Sequence, residues 1–379
     1  MRSPADWRSW VPTPAGEPFA LTDEFPAQPG LWDLEHEPAV IPHWNAILRS
    51  NADYVRELLD TEEAAARGER ALEPLRGLLA DLEAGRATDA VRTIHEVTLV
   101  RDHLLRAHGL EDPYAQVKAQ EARRLQPAAA TALEEAWARG ARAPRTADLA
   151  GILGDLLAGN LFDLGSRTTQ EAFRRGALDI AASRRTYRRA AAAWLAGAGR
   201  PAQPWLLGPP VPLAAPPRGR MLFFADNAGA DFLLGVLPAA LHLARRWEVV
   251  LVVNSQPASS DICFAEAEGL CAHFAEQPGS ALAEARRAGR LRLAASGTGA
   301  PGIDLRFVAA ELNELARDAD WLLLEGQGRA VETNWRTTFR CPVLRVAVVK
   351  DTLVAETIGV EPRAALLRWD EPALTAPSR

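Results

Sequence analysis

The chain has 379 residues, 48% of them hydrophobic and 24% charged, with a net charge of -6. That length can bury a sizeable core, and that charge argues against a general attraction to nucleic acid. Cys263, Cys271 and Cys341 form neither a CxxC pair nor a Cys/His zinc spacing, which fits a reducing compartment. No secretory apolar stretch opens the chain and no apolar run approaches bilayer length, so a cytoplasmic protein without a membrane partner is expected.

In chain order, residues 1–40 read as an extended arm packed by its tryptophans. From Pro42 to about Leu195 the pattern is helical. Trp44, Ile47, Leu48, Tyr54, Val55 and Leu58 recur at three- and four-residue spacing, as do Leu72, Leu75, Leu78, Leu79 and Leu82. Val91, Ile94, Val97, Val100, Leu104 and Leu105 form a further stripe, each the signature of an amphipathic helix. An apolar helix is expected over Leu149–Ala158, and another over Thr186–Trp194 with Gly197 and Gly199 as stop residues. Residues 200–219 are proline-rich, which neither helix nor central strand tolerates, so they read as a linker. The expected division is therefore an arm (1–40), a helical domain (41–199), a linker (200–219) and an α/β domain (220–379).

Beyond the linker the period changes. Met221–Phe224, Val249–Val253, Leu291–Ala294, Trp321–Leu324 and Val343–Val349 read as short buried strands. Helices are expected over Phe232–Arg245, Phe264–His273, Ala281–Ala288 and Leu305–Ala316. The alternation predicts an α/β fold with a mostly parallel, Rossmann-like sheet and helices on both faces, beside an N-terminal all-helical domain. Right-handed crossovers bring the strand C-termini to one edge. Asp226, Asn254, Ser296, Glu325 and Lys350 should then ring one cleft, where ligands of such sheets bind.

Within that ring, adjacent Asp226 and Asn227 offer a carboxylate and an amide carbonyl. With Asp261 from the loop after the next strand they suit a hard divalent cation. Asp226 as a helix cap and Asn227 as a turn residue is the plainer reading; the clustering of polar strand ends favours the metal. Asn254-Ser255 opens a polar loop whose backbone amides can cradle a phosphate. Glu325-Gly326-Gln327-Gly328-Arg329 puts two glycines at a strand end, where backbone approaches a ligand closely, and Arg329 offers a bidentate fork. Asn160 and Asp163, three apart, either reach the cleft or cap and break a helix. His95, His103 and His108 have no metalloprotease spacing, and no nucleophile elbow or phosphate-binding P-loop motif is present.

The run from Phe224 through Asp226-Asn227 to Pro238 resembles the metal-binding core of the damage-control phosphatase family, whose members carry an acidic-residue-methyltransferase-like metal-binding domain. It is most similar to subfamily II, which contains the phosphatase domain of pantothenate kinase 4. That subfamily's Glu-Gly-Met-Gly-Arg hallmark is here Glu325-Gly326-Gln327-Gly328-Arg329, with glutamine in place of methionine, and is followed by Ala330-Val331-Glu332-Thr333-Asn334. Leu344–Lys350, Arg101–Tyr114 and Gly159–Asp163 extend the likeness over most of residues 40–360, without a kinase portion.

The resemblance implies hydrolysis of a small phosphomonoester, with 4'-phosphopantetheine or its oxidised forms as substrate. It implies Asp226, Asn227 and Asp261 as ligands of the catalytic divalent ion, and such carboxylate and amide donors predict Mg²⁺, Mn²⁺, Co²⁺ or Ni²⁺. Asp261 or Asp226 would also orient water, while Arg329 and Lys350 are candidates to offset phosphoryl charge. Asn160, Asp163, Asn254, Ser255, Glu325, Gly326 and Gly328 are the expected substrate contacts. A carboxyl methyltransferase using S-adenosylmethionine and a non-catalytic phosphometabolite binder are the alternatives. Oligomeric state is left open.

Overall fold

The computed structural model describes residues 6–12, 15–22, 29–141, 146–162, 175, 179–196 and 219–372. Asp163 and the proline-rich stretch 200–218 lie outside them. Among the described residues five α-helices precede residue 162: α1 (Ile41–Leu58), α2 (Glu62–Glu83), α3 (Ile94–Ala107), α4 (Ala115–Gly140) and α5 (Thr146–Leu161). Helix α6 (Ile180–Leu195) follows. Thr61 and Thr93 cap α2 and α3 through side-chain oxygens that accept from Ala64 and Glu96 N–H, satisfying donors a helix start leaves open.

The strands are β1 (Arg220–Phe224), β2 (Glu248–Val253), β3 (Leu291–Ala295), β4 (Ala319–Glu325), β5 (Val343–Val349) and β6 (Ala364–Asp370). They form one sheet in the order β3-β2-β1-β4-β5-β6, parallel except for β6, which runs antiparallel to β5. Strand order reverses between β1 and β4, the position where such sheets open a crevice beyond their strand ends.

Side chains alternate across each strand, so the apolar runs feed two cores. Leu222, Phe224, Val250, Val252, Leu322 and Leu324 share one core with the arm and α1–α3. Met221, Phe223, Val249, Leu251, Trp321 and Leu323 share the other with α4–α6. The N-terminal helices thus divide between the two faces of the sheet. The arm crosses the first face: Trp7 Nε1 donates to Asp81 at 2.8 Å, and the Phe19 ring stands edge-on to Phe224 at 5.8 Å.

Between strands lie α7 (Leu237–Leu243), α8 (Phe264–Ala275), α9 (Ala281–Arg287), α10 (Ala310–Ala316) and α11 (Thr352–Ile358). Three local expectations need correction. The helix expected from Phe232 begins as a π-helical turn, Asp231–Val236, before becoming α7. The helix expected from Leu305 starts at Ala310, because Val308 and Leu305 use their backbones to pair with Glu17 and Phe19 of the arm. Strand β6, with Leu366, Leu367 and Trp369 buried, escaped the sequence reading.

Candidate active site

The ends of β1 and β4 place Asp226 and Glu325 side by side at the switch point. The Asp226 N–H donates to Glu325 Oε2 at 2.8 Å. The loop after β2 zips onto the end of β1: Asn227 and Asp261 form an antiparallel bridge, Ala228 N–H donates to Ser260 O at 2.8 Å, and Ser260 Oγ donates to Asn227 Oδ1 at 2.9 Å. Gly326 makes the approach of β4 to β1 feasible. Its φ is +94°, and a Cβ there would sit 2.2 Å from Asp226 Cγ.

Both strand ends run into π-helical turns, Asp231–Val236 after β1 and Gly328–Thr333 after β4, a form enriched at functional sites. The first turn points Asp231 back at Asp226. Asp226, Asp231 and Glu325 are buried with carboxylate oxygens within 4.8 Å of one another. Asp231 Oδ2 accepts from Asn160 Nδ2 and Asn227 Nδ2, each at 3.1 Å. Asp231 Oδ1 and Glu325 Oε1 have no hydrogen-bond partner. Burial first and neighbouring carboxylates second push the Asp231 and Glu325 carboxyls upward.

Arg329 answers part of this negative charge. Its Nη1 donates to Asp226 Oδ1, and its Nη2 donates to Asp261 Oδ2 at 2.9 Å and Asn254 Oδ1 at 3.0 Å. It is 2% exposed, so its forks are spent on the very carboxylates expected to bind a metal. Asn160, at the end of α5, is a second hub. It donates to Asp231, accepts the Val348 N–H at 2.9 Å through Oδ1, and accepts Lys350 Nζ at 3.1 Å through its backbone oxygen.

A cavity of about 410 Å³ opens over this cluster. Its inner end is lined by Asp226, Asn227, Asp261, Gly328 and Lys350. Asn160, Asn254, Glu325, Gly326 and Arg329 stand behind that lining, touching it through the contacts above. Ser255 Oγ accepts the Gly297 N–H at 2.7 Å, and Ser296 Oγ pairs with Thr298, so both serve turns beside the cavity. Asp163 is outside the described residues. The outer wall comes from the arm and first-face helices: Leu31, Trp32, Trp44, Ile47, Leu48 and Ile94.

Sequence reasoning passed over Asp231, which stands behind the lining, and several groups of the lining itself. His95, Thr98 and Arg101, spaced by three on α3, all line the cavity, and that spacing was a readable sign of one helix face. His95 Nδ1 lies 3.1 Å from Pro301 O. A carbonyl only accepts, so Nδ1 carries the proton and burial keeps the ring neutral by lowering its pKa. Arg101 Nε donates to Asp102 at 2.7 Å, leaving Nη2 buried without a partner. Gln327 and Glu332 also line the cavity.

All the oxygen donors at the inner end are hard, two buried carboxylate oxygens are unmatched, and the carboxylates outnumber Arg329 and Lys350. That donor set fits a divalent cation such as Mg²⁺ or Mn²⁺ better than a soft metal.

A switch-point crevice with an acidic floor, walled by helices, defines an α/β protein with a candidate metal site. The particular family follows from comparison. The damage-control phosphatase ARMT1-like domain matches residues 43–366, and the chain belongs to that family. It is 31% identical over 310 residues to damage-control phosphatase At2g17340 of Arabidopsis thaliana, covering 78% of each chain. It is 25% identical to the 4'-phosphopantetheine phosphatase of Mus musculus over 83% of this chain but only 43% of that protein. The fold is that of the crystal structure of a DUF89 family protein from Pyrococcus horikoshii, with TM-score 0.52, 16% identity, and coverage of 85% and 96% of the two chains. Among the described residues no helix is long and apolar enough to cross a membrane.

Proposed function

We propose that the chain hydrolyses a small phosphomonoester with the help of a divalent cation, and that 4'-phosphopantetheine or an oxidised form of it is the substrate. The observation carrying this reading is the buried Asp226/Asp231/Glu325 cluster, with its two unmatched oxygens, at the floor of a cavity that also receives Lys350. The name of the mouse relative supports the substrate. A roof of apolar and aromatic side chains leaves room for an extended group beyond the phosphate.

Asp226, Asn227 and Asp261 would hold the cation, with Asp231 and Glu325 behind them. When bound, it would polarise a phosphoryl oxygen and acidify a water. The remaining work belongs to the chain. Asp226 and Asp261 orient the attacking water. Lys350, anchored by Asn160, meets the phosphoryl oxygens. Arg329 bridges Asp226 and Asp261. Held there by Asp226, Asp261 and Asn254, its guanidinium would add a preorganised positive charge beside the phosphoryl oxygens. The arrangement makes no use of cysteine, in keeping with the buried, free thiols.

Phosphate release from a panel of phosphomonoesters, with and without added Mg²⁺ or Mn²⁺, tests the reading. Release that stops in excess EDTA, and in a folded Asp226→Ala variant, is expected. Undiminished release in either case would sink it.

A further inference from the structure

Hydrolysis of an alkyl phosphate expels a strongly basic alkoxide, and none of the groups named so far supplies it with a proton. The cavity is lined by two further carboxyls, of which Asp351 is committed to His43 and to the N–H groups of Leu353 and Val354. Glu332, on the π-helical turn Gly328–Thr333, is half-buried and lines the cavity with Gln327, Lys350 and Asp351. Gln327 Nε2 donates to Glu332 Oε1 at 2.6 Å. Gln327 Oε1 in turn accepts the backbone N–H groups of Lys350 at 2.5 Å and Asp351 at 3.1 Å. Two backbone donors on one end of the carboxamide settle which end is oxygen, so its NH₂ must face Glu332. Among the described residues Glu332 makes no other hydrogen bond, which leaves one carboxyl oxygen for a ligand.

We propose that Glu332 is the proton donor to the leaving-group oxygen and that Gln327 is the positioning residue that aims it. The inference rests on the phosphatase reading above. In the step, the attacking water's oxygen forms a bond to phosphorus and loses its proton to solvent. The bond from phosphorus to the leaving oxygen breaks, and that oxygen takes the Glu332 proton. The products are an alcohol and inorganic phosphate, and Glu332 regains a proton from solvent.

Two further facts agree. Burial pushes the Glu332 carboxyl up to about 7, with Asp351 and Asp226 adding to the rise and Gln327 and Lys350 opposing it. A group poised there carries a proton often enough at neutral pH to deliver one. Lys350, the rival donor, has its ammonium turned to the Asn160 carbonyl. A methionine at 327 would offer neither the hold on Glu332 nor the acceptor for Lys350 and Asp351 N–H. This chain's departure from the family hallmark therefore falls on the residue that fixes the acid.

The decisive measurement compares leaving groups. The full chain and its Glu332→Gln variant, both with saturating Mg²⁺ or Mn²⁺, are assayed on p-nitrophenyl phosphate, whose phenolate needs no proton. They are assayed in parallel on the best alkyl phosphomonoester of the panel. The expected result is a loss of roughly 10²–10⁴-fold in kcat on the alkyl ester and less than about 10-fold on the aryl ester. Gln327→Met should shift the alkyl-to-aryl ratio in the same direction by less. Calorimetric binding of inorganic phosphate should survive in Glu332→Gln, showing an intact site. An unchanged ratio, or an equal fall on both esters with phosphate binding lost, overturns the assignment. If the unsubstituted protein releases phosphate from no ester, the phosphatase reading fails first and takes this one with it. A protein active on both with an unchanged ratio costs only Glu332.

Discussion

The two ends of the cavity are built in opposite ways. The inner end gathers polar residues from the C-termini of β1, β2, β4 and β5 and ties them into one hydrogen-bonded block around Arg329. The outer end is a wall of apolar and aromatic side chains from the arm and α1, joined by the polar stripe of α3. One end is rigid because each residue is held by several others; the other is a packed surface in which single side chains can be trimmed. Damage at the inner end should therefore abolish turnover, whereas damage at the outer end should weaken binding and leave chemistry alone.

The largest expected effect is that of Asp226→Ala. It removes the carboxylate shared by Arg329, the acidic cluster and the proposed cation, worth several kcal/mol, or roughly 10³-fold or more in kcat. Steady-state phosphate release, paired with circular dichroism to check folding, measures it. A kcat within about 10-fold of the parent would mean the block is scaffolding, and the contrast between the two ends would collapse.

Next comes Gly326→Ala. The added methyl would lie 2.2 Å from Asp226 Cγ, at a φ of +94° that L-residues avoid. Strain and overpacking together should cost about 2–4 kcal/mol of stability, read as a lower urea midpoint, with turnover falling because Asp226 is what must move. Loss of stability with full turnover would show that Asp226 tolerates displacement.

At the outer end, Ile47→Ala trims an α1 side chain that lines the cavity without being fully buried. Losing its contact should raise KM for an extended substrate by roughly 10-fold, since a few methylenes in an apolar pocket are worth about 1–3 kcal/mol. kcat, and the KM for p-nitrophenyl phosphate, should barely change. A fall in kcat instead would place α1 in the chemistry.

This division also explains what the sequence disclosed. Strand-end residues such as Asp226, Glu325 and Lys350 were legible because a parallel sheet delivers every strand's C-terminus to one edge. Asp231 was visible but unassigned, since only the π-helical turn swings it back onto Asp226. The role of Arg329 was anticipated as a phosphate fork, yet its forks are committed to Asp226, Asp261 and Asn254, a pairing no spacing reveals. The wall was least legible. Trp32 belongs to the arm, which has no clear period, while Trp44 and His95 belong to two helical segments whose apolar periodicity signals packing equally well. The helix start at Ala310 was lost because tertiary pairing with Glu17 and Phe19 overrides local pattern.

The smallest effect compares two buried histidines of matching chemistry. His95 donates through Nδ1 to Pro301 O in the cavity wall. His242, on α7, lies 3.2 Å through Nδ1 from Ala136 O of α4, away from the cavity. Burial lowers both from the ordinary value of 6.5. Folding therefore favours the neutral ring, and the unfolded chain takes up the proton first. The stability each contributes is present above about pH 6.5 and is lost as pH falls through that value, at no more than about 1.4 kcal/mol per pH unit. Asparagine presents an N–H where Nδ1 stood and does not titrate. In His242→Asn the urea midpoint should thus fall less steeply between pH 7.5 and 5.5, with KM and kcat at pH 7.5 unmoved. His95→Asn should flatten the pH dependence similarly but also raise KM, because only that imidazole stands where substrate would lie. Equal kinetics in the two variants would remove α3 from the wall's recognition and leave Ile47 and the tryptophans to carry it.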